Sequence, residues 1–162
     1  MVLAPLFVIV MVLGTIGGGP SAGSAEAAAP GMAQAAPGAG ETAFIGAMLD
    51  DLGAPATAAN VTSMQGWILR ETPWPPAAEN NPMNTTLPES GSTPFNFLPG
   101  GGSVQNYPTA TEGAAANAST IASGSYPQIA ADLRAGVGLC SDPATAGEFL
   151  TWSGGGYDAP VC

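Results

Sequence analysis

The chain has 162 residues, 12 acidic side chains, two arginines, no lysine and no histidine, for a net charge of −10. Without histidine there is no Ser-His-Asp triad, no Cys-His pair and no histidine-ligated zinc site, so neither a metal nor a cofactor is expected. With only Arg70 and Arg134 there is no basic surface for nucleic acid, and no Gly-x-x-x-x-Gly-Lys run marks a P-loop.

In chain order, Val2 to Ile16 are nearly all apolar and are followed by small residues. This pattern fits the apolar region of a secretory signal peptide, with Ala25-Glu26-Ala27 as the preferred cleavage site. The expected division is a signal peptide over 1–27, an Ala/Pro/Gly-rich flexible linker over 28–40, and one folded domain over 41–162. A retained anchor is the alternative, but the run is short of the roughly 20 residues a span needs. No stable membrane insertion is expected once the leader is removed. Secretion fits Cys140 and Cys162, which read as one disulfide.

Thr42 can cap a first helix carrying Phe44, Ile45, Met48, Leu49 and Leu52, ended by Gly53 and Pro55. Thr57 caps a second over Ala58 to Glu71, with Val61, Met64, Trp67 and Ile68 at helical spacing. Pro73, Pro75 and Pro76 stop it. Residues 72–103 read as a long polar loop with room for a short hairpin, and 104–107 as one strand. Thr109 and Glu112 form a capping-box pattern opening a third helix that runs to about Ala122. Tyr126, Ile129 and Leu133 mark a fourth, ended by Gly136. Asp142 followed by Pro143 opens a fifth, with Phe149 and Trp152 as its core face. The Gly100–Gly102 and Gly154–Gly156 runs read as flexible loops. The predicted class is mainly α: five helices, a long polar loop and at most a small β-hairpin.

The most informative stretch is Gly66-Trp67-Ile68-Leu69-Arg70-Glu71, followed by Asn80-Asn81-Pro82-Met83-Asn84-Thr85-Thr86 and then by Val104-Gln105-Asn106-Tyr107-Pro108-Thr109. A Glu closes an apolar helix, an Asn-rich turn follows, and a short strand leads into a capped helix. This order resembles lysozyme-like peptidoglycan hydrolases, especially the glucosaminidase branch and related actinobacterial and phage lytic domains, over about residues 41–135. The resemblance implies a lysozyme-like helical domain outside the cell or at the cell wall, peptidoglycan as partner, and Glu71 as general acid. It also brings Asn81, Asn84 and Tyr107 to cleft positions.

The chemistry gives the same residue a reason. Glycosidic cleavage needs a protonated carboxyl at the leaving oxygen, and apolar surroundings raise a carboxyl pKa. Glu71 has Trp67 and Trp74 near it in sequence, and either ring can desolvate it or stack on a sugar. Read as structure alone, Glu71 is a solvated acid at the negative end of a helix, a slightly unfavourable place. Glu79 and Glu89 are candidates for a second carboxylate; as loop acids they are otherwise simply solvated. The asparagines can hydrogen-bond sugar groups or merely form turns. Strong net acidity argues against electrostatic attraction to anionic walls. A non-catalytic secreted lysozyme-like domain, binding wall glycan or a protein partner, is therefore the alternative function, and a helical domain unrelated to sugars the plainest one.

Overall fold

The computed structural model describes residues 38–140 and 142–162. The signal-peptide reading and most of the linker therefore lie outside the described residues. Helices α1 (Ala39–Leu52), α2 (Ala58–Glu71), α3 (Ala110–Ala122), α4 (Pro127–Ala135) and α5 (Ala146–Ser153) form the body, with a 3₁₀ turn at Pro143–Thr145 before α5. Strands β1 (Thr93–Phe97) and β2 (Ser103–Asn106) make an antiparallel hairpin. The protein is thus mainly helical with a small two-stranded sheet.

Helix α1 begins before Thr42: Gly38 is its N-cap, and the Thr42 amide already donates to Gly38 O (3.1 Å). Ala39 and Gly40, expected in the linker, are its first turn. Its five apolar residues at i, i+1, i+4, i+5 and i+8 are all buried. Gly53 closes it in the left-handed conformation, φ 70°.

Thr57 caps α2 as expected, its hydroxyl oxygen accepting from Asn60 N (3.1 Å). Asn60 is fully buried and fastens α2 to the end of α4. Its Nδ2 donates to Pro55 O and Leu133 O, and its Oδ1 accepts from Gly138 N. Thr109 caps α3 in the same way, accepting from Glu112 N and donating to the Glu112 carboxylate. The packing surface of α3 is built from Ala114, Ala118 and Ile121, small enough for α1 to lie close against it. Trp67 sits in the core with its ring 4.9 Å from Phe149 and 4.8 Å from Trp152, both edge-on.

The long loop is tightly held. Asn81 is fully buried; its Nδ2 donates to Thr85 O and Gln105 O, and its Oδ1 accepts from Thr85 N. These bonds pin the Asn-rich turn against β2. Gly113 lets that loop approach α3, since a Cβ there would stand 1.8 Å from Asn80 O. In the hairpin, Ser103 to Gln105 of β2 are buried while all of β1 is exposed. The register is irregular between Pro94 and Asn96, and beyond that point Asn96 and Leu98 line a cleft.

Cys140 and Cys162 are joined, with their Cα atoms 5.7 Å apart. The bond closes the last 22 residues onto the end of α4. Just before it, Val161 N donates to Gly66 O (3.1 Å) on α2. The final segment is thus a strap laid across α2 and covalently fixed. Cys140→Ser should lower the unfolding free energy by about 3 kcal/mol on a chain-entropy estimate. Denaturant titration of oxidised wild type and mutant checks this, and thiol titration of the unfolded wild type should find no free sulfhydryl.

No helix among the described residues is long and apolar enough to cross a membrane.

Candidate active site

Glu71 is the last residue of α2; Thr72 turns the chain into extended geometry, and the prolines behind it cannot continue the helix. The carboxylate therefore stands at a helix end where three other chain segments meet. Its Oε1 accepts from Trp152 Nε1 (2.9 Å) on α5 and from the hydroxyl of Tyr157 on the strap. Its Oε2 accepts from Asn84 Nδ2 (3.2 Å). Asn84 is left-handed, φ 55°, a conformation Asn tolerates better than other non-glycine residues.

The proton on Tyr157 has a defined direction. Trp67 Nε1 donates to the Tyr157 oxygen (2.9 Å), so the Tyr157 hydroxyl proton is left for Glu71. Burial and the adjacent Glu71 carboxylate raise the phenol above its ordinary pKa. Burial pushes the Glu71 carboxyl up, and this outweighs the opposing hydrogen bonds from Tyr157, Asn84 and Trp152. Arg70 does not neutralise Glu71; its guanidinium carbon lies 6.0 Å from the centre of the Tyr157 ring.

Glu71 opens into a cleft of about 600 Å³. Asn84 and Thr85 of the Asn-rich turn, Asn96 of the hairpin, and the rings of Tyr126 and Trp152 line it with the acid. The two rings lie 5.1 Å apart. Among the described residues, no Arg or Lys is in the lining, and Glu71 is its only carboxylate.

Of the residues expected here, Glu71 and Asn84 are brought together. Trp67 is fully buried in the core, which leaves no ring face for a sugar, though it acts on the site through Tyr157. Asn81 is fully buried and spends its amide on backbone groups. Tyr107 is also buried and donates to Leu87 O (2.6 Å); burial and the charge of Glu89 push its pKa up to about 12. Trp74 packs beside Phe44, rings 6.0 Å apart, in a separate hollow of about 290 Å³ that also holds Glu79. Glu89 is exposed on the loop before β1, and neither it nor Glu79 lines the cleft.

Four site residues are not singled out by the sequence: Trp152, Tyr157, Tyr126 and Asn96. Trp152 was expected in the core by its helical spacing, and it is only half-buried. Tyr157 lies beyond the Gly154–Gly156 run, whose composition alone suggests a flexible loop. That run is a built turn: Gly154 and Gly155 have φ 62° and 91°, and Ser153 Oγ accepts from Gly156 N and Tyr157 N. The available signal was a Trp and a Tyr bracketing Ser-Gly-Gly-Gly, two aromatic donors on a short turn.

Tyr157→Phe removes one donor from the carboxylate, so the Glu71 carboxyl should titrate at still higher pH, read by ¹³C NMR. The same change strips the buried Trp67 N–H of its acceptor and should cost about 1–3 kcal/mol of stability.

Among the described residues, no group of three or more Cys, Asp or Glu side chains is arranged to hold a metal ion. Comparison of the chain with protein-family models, curated proteins and solved structures finds no match.

Proposed function

We propose that this protein is an exported glycosidase that cuts the glycan strands of bacterial peptidoglycan, with Glu71 as general acid on a lysozyme-like helical scaffold. The observation that carries the reading is the state of Glu71: a carboxyl raised by burial, oriented by three donors, and open to a cleft with two aromatic rings. A raised carboxyl keeps its proton nearer to neutral pH and can deliver it to a glycosidic oxygen as the C–O bond breaks. Oε1 holds two donors and Oε2 one, so Oε2 has the spare capacity for that proton.

A second carboxylate at the roughly 5 Å of a covalent retaining mechanism is not in the lining. Attack on the anomeric carbon then falls to water or to a group of the sugar itself. A cleft without cations suits an uncharged stretch of N-acetylated glycan, held by asparagine, threonine and ring faces rather than by ion pairs. The disulfide agrees with a life outside the reducing cytosol.

One observation favours the alternative, a non-catalytic domain that binds wall glycan or a protein partner: the Glu71 carboxylate is so well hydrogen-bonded that it also serves as a structural knot between α2, α5 and the strap. The test is a clearing and reducing-end assay on purified walls with wild type and Glu71→Gln. Cleavage by wild type alone supports the glycosidase. Wall binding by both, with cleavage by neither, makes the alternative the better reading.

A further inference from the structure

Asp132, on α4, is 8% exposed, and its Oδ2 has no hydrogen-bond partner. Its Oδ1 accepts from Gln128 Nε2 (2.9 Å), and that same nitrogen donates to Asp142 Oδ2 (3.3 Å). Two carboxylates thus converge on one amide nitrogen, and the second oxygen of the buried one has no partner. Asp142 belongs to the segment that caps the 3₁₀ turn; its Oδ1 accepts from Ala144 N (2.7 Å).

The other acid that acts on the pair is Glu148 of α5, and both its oxygens are engaged by the Gln128 and Ile129 amides at the start of α4. Among the described residues no cation offsets the negative charge: the Arg134 guanidinium is turned to Leu52 O (3.1 Å). Two ionised carboxylates this close repel, and the buried one also lacks solvation.

We propose that Asp132 and Asp142 share one proton, carried on Asp132 Oδ2, and that this carboxyl pair fastens α4 to the segment leading into α5 and loosens as pH rises. A single proton resolves both defects of the site. The orphaned acceptor becomes a donor, and one of two like charges is removed. The asymmetry has a cause on each side. Burial and the neighbouring Asp142 raise Asp132, whereas the Ala144 amide holds Asp142 low. The sign follows: a group raised in the folded state stabilises fully below its unfolded pKa and loses that contribution as pH rises through the folded value. The window therefore opens at about pH 4, the ordinary aspartate range, and extends upward. The device lies beside Cys140 and before α5, which carries Trp152, and it does not depend on the glycosidase reading.

The test is thermal unfolding from acid to neutral pH with wild type and Asp132→Asn, whose amide can donate to Asp142 without a proton. Wild type should lose melting temperature relative to Asp132→Asn as pH rises, the two diverging by roughly 4 °C or more at neutral pH. Parallel curves overturn the proposal, as does an Asp132 carboxyl that titrates in the ordinary aspartate range by ¹³C NMR in the intact wild type. A rise in wild-type melting temperature with calcium at neutral pH, absent in Asp132→Asn, would also overturn it, because the pair would then be a cation site.

Discussion

On the glycosidase reading proposed above, Glu71→Gln is expected to lower the rate of wall-glycan cleavage about 10²–10⁴-fold, the usual share of a positioned proton donor. This corresponds to roughly 3–5 kcal/mol of barrier at 1.36 kcal/mol per decade. The melting temperature should stay near that of wild type. Burial outweighs the three hydrogen bonds in setting the Glu71 pKa, so folding disfavours the charged carboxylate relative to the unfolded chain, and an amide is neutral at every pH. If the Gln carbonyl keeps Trp152 and Tyr157, its NH₂ faces Asn84 Nδ2, a donor against a donor. Asn84 retains only its longer contact to Glu71 O (3.4 Å), a modest loss. The pH dependence separates the two proteins. Wild type gives up stability as pH rises through the folded Glu71 pKa, and the Gln variant lacks that contribution. Glu79→Gln and Glu89→Gln change acids outside the cleft and should cleave at the wild-type rate.

Gly66→Ala should be among the most damaging single changes in the protein. A Cβ at position 66 would stand 1.6 Å from Val161 O and 2.6 Å from Val161 C, and both atoms are backbone. No rotamer relieves that overlap. The strap must lift, which breaks the Val161 N to Gly66 O bond and draws Tyr157 away from Glu71 and Trp67. Overpacking of this kind costs about 3 kcal/mol or more, a fall of roughly 10 °C in a domain of this size. Intrinsic helix propensity pulls the other way, since Ala is favoured over Gly by about 1 kcal/mol. Gly46→Ala is the matched control: it is also inside a helix, has nothing within 4 Å of its Cβ position, and should stabilise. A gain in melting temperature for both variants would mean that the strap does not lie on α2.

The helices were legible where they carry their own punctuation: Thr57 and Thr109 are local caps, Gly53 and Gly136 are local stops, and the apolar spacing between them is short-range. Where a start lacks a side-chain cap the expected boundary moves: α1 begins at Gly38 rather than Thr42, and Asp142 caps a 3₁₀ turn, with α5 starting only after Thr145. Glu71 was legible for the same reason, as an acid at a helix end before a run of prolines. Its partners were not. Trp152 and Tyr157 reach it across 81 and 86 residues, and no local pattern reports such a meeting. A tryptophan at helical spacing reads the same whether it is sealed, like Trp67, or half-open to a cleft, like Trp152. Asn81 and Asn84 show a related ambiguity: three residues apart in one turn, one serves the backbone and the other the acid.

Those long separations also set an order of assembly. The caps and helical turns form from neighbours in sequence, and Asn84 needs a loop of only 13 residues to find Glu71. The bonds from Trp152 and Tyr157 close over most of the domain, and ordering so long a loop is slow relative to local structure. Until α5 and the strap dock, Glu71 is an ordinary hydrated carboxylate with an ordinary acidity. The perturbed acid is therefore among the last features to appear during refolding, and the recovery of its shifted titration marks completion of the native state more closely than the return of helical signal.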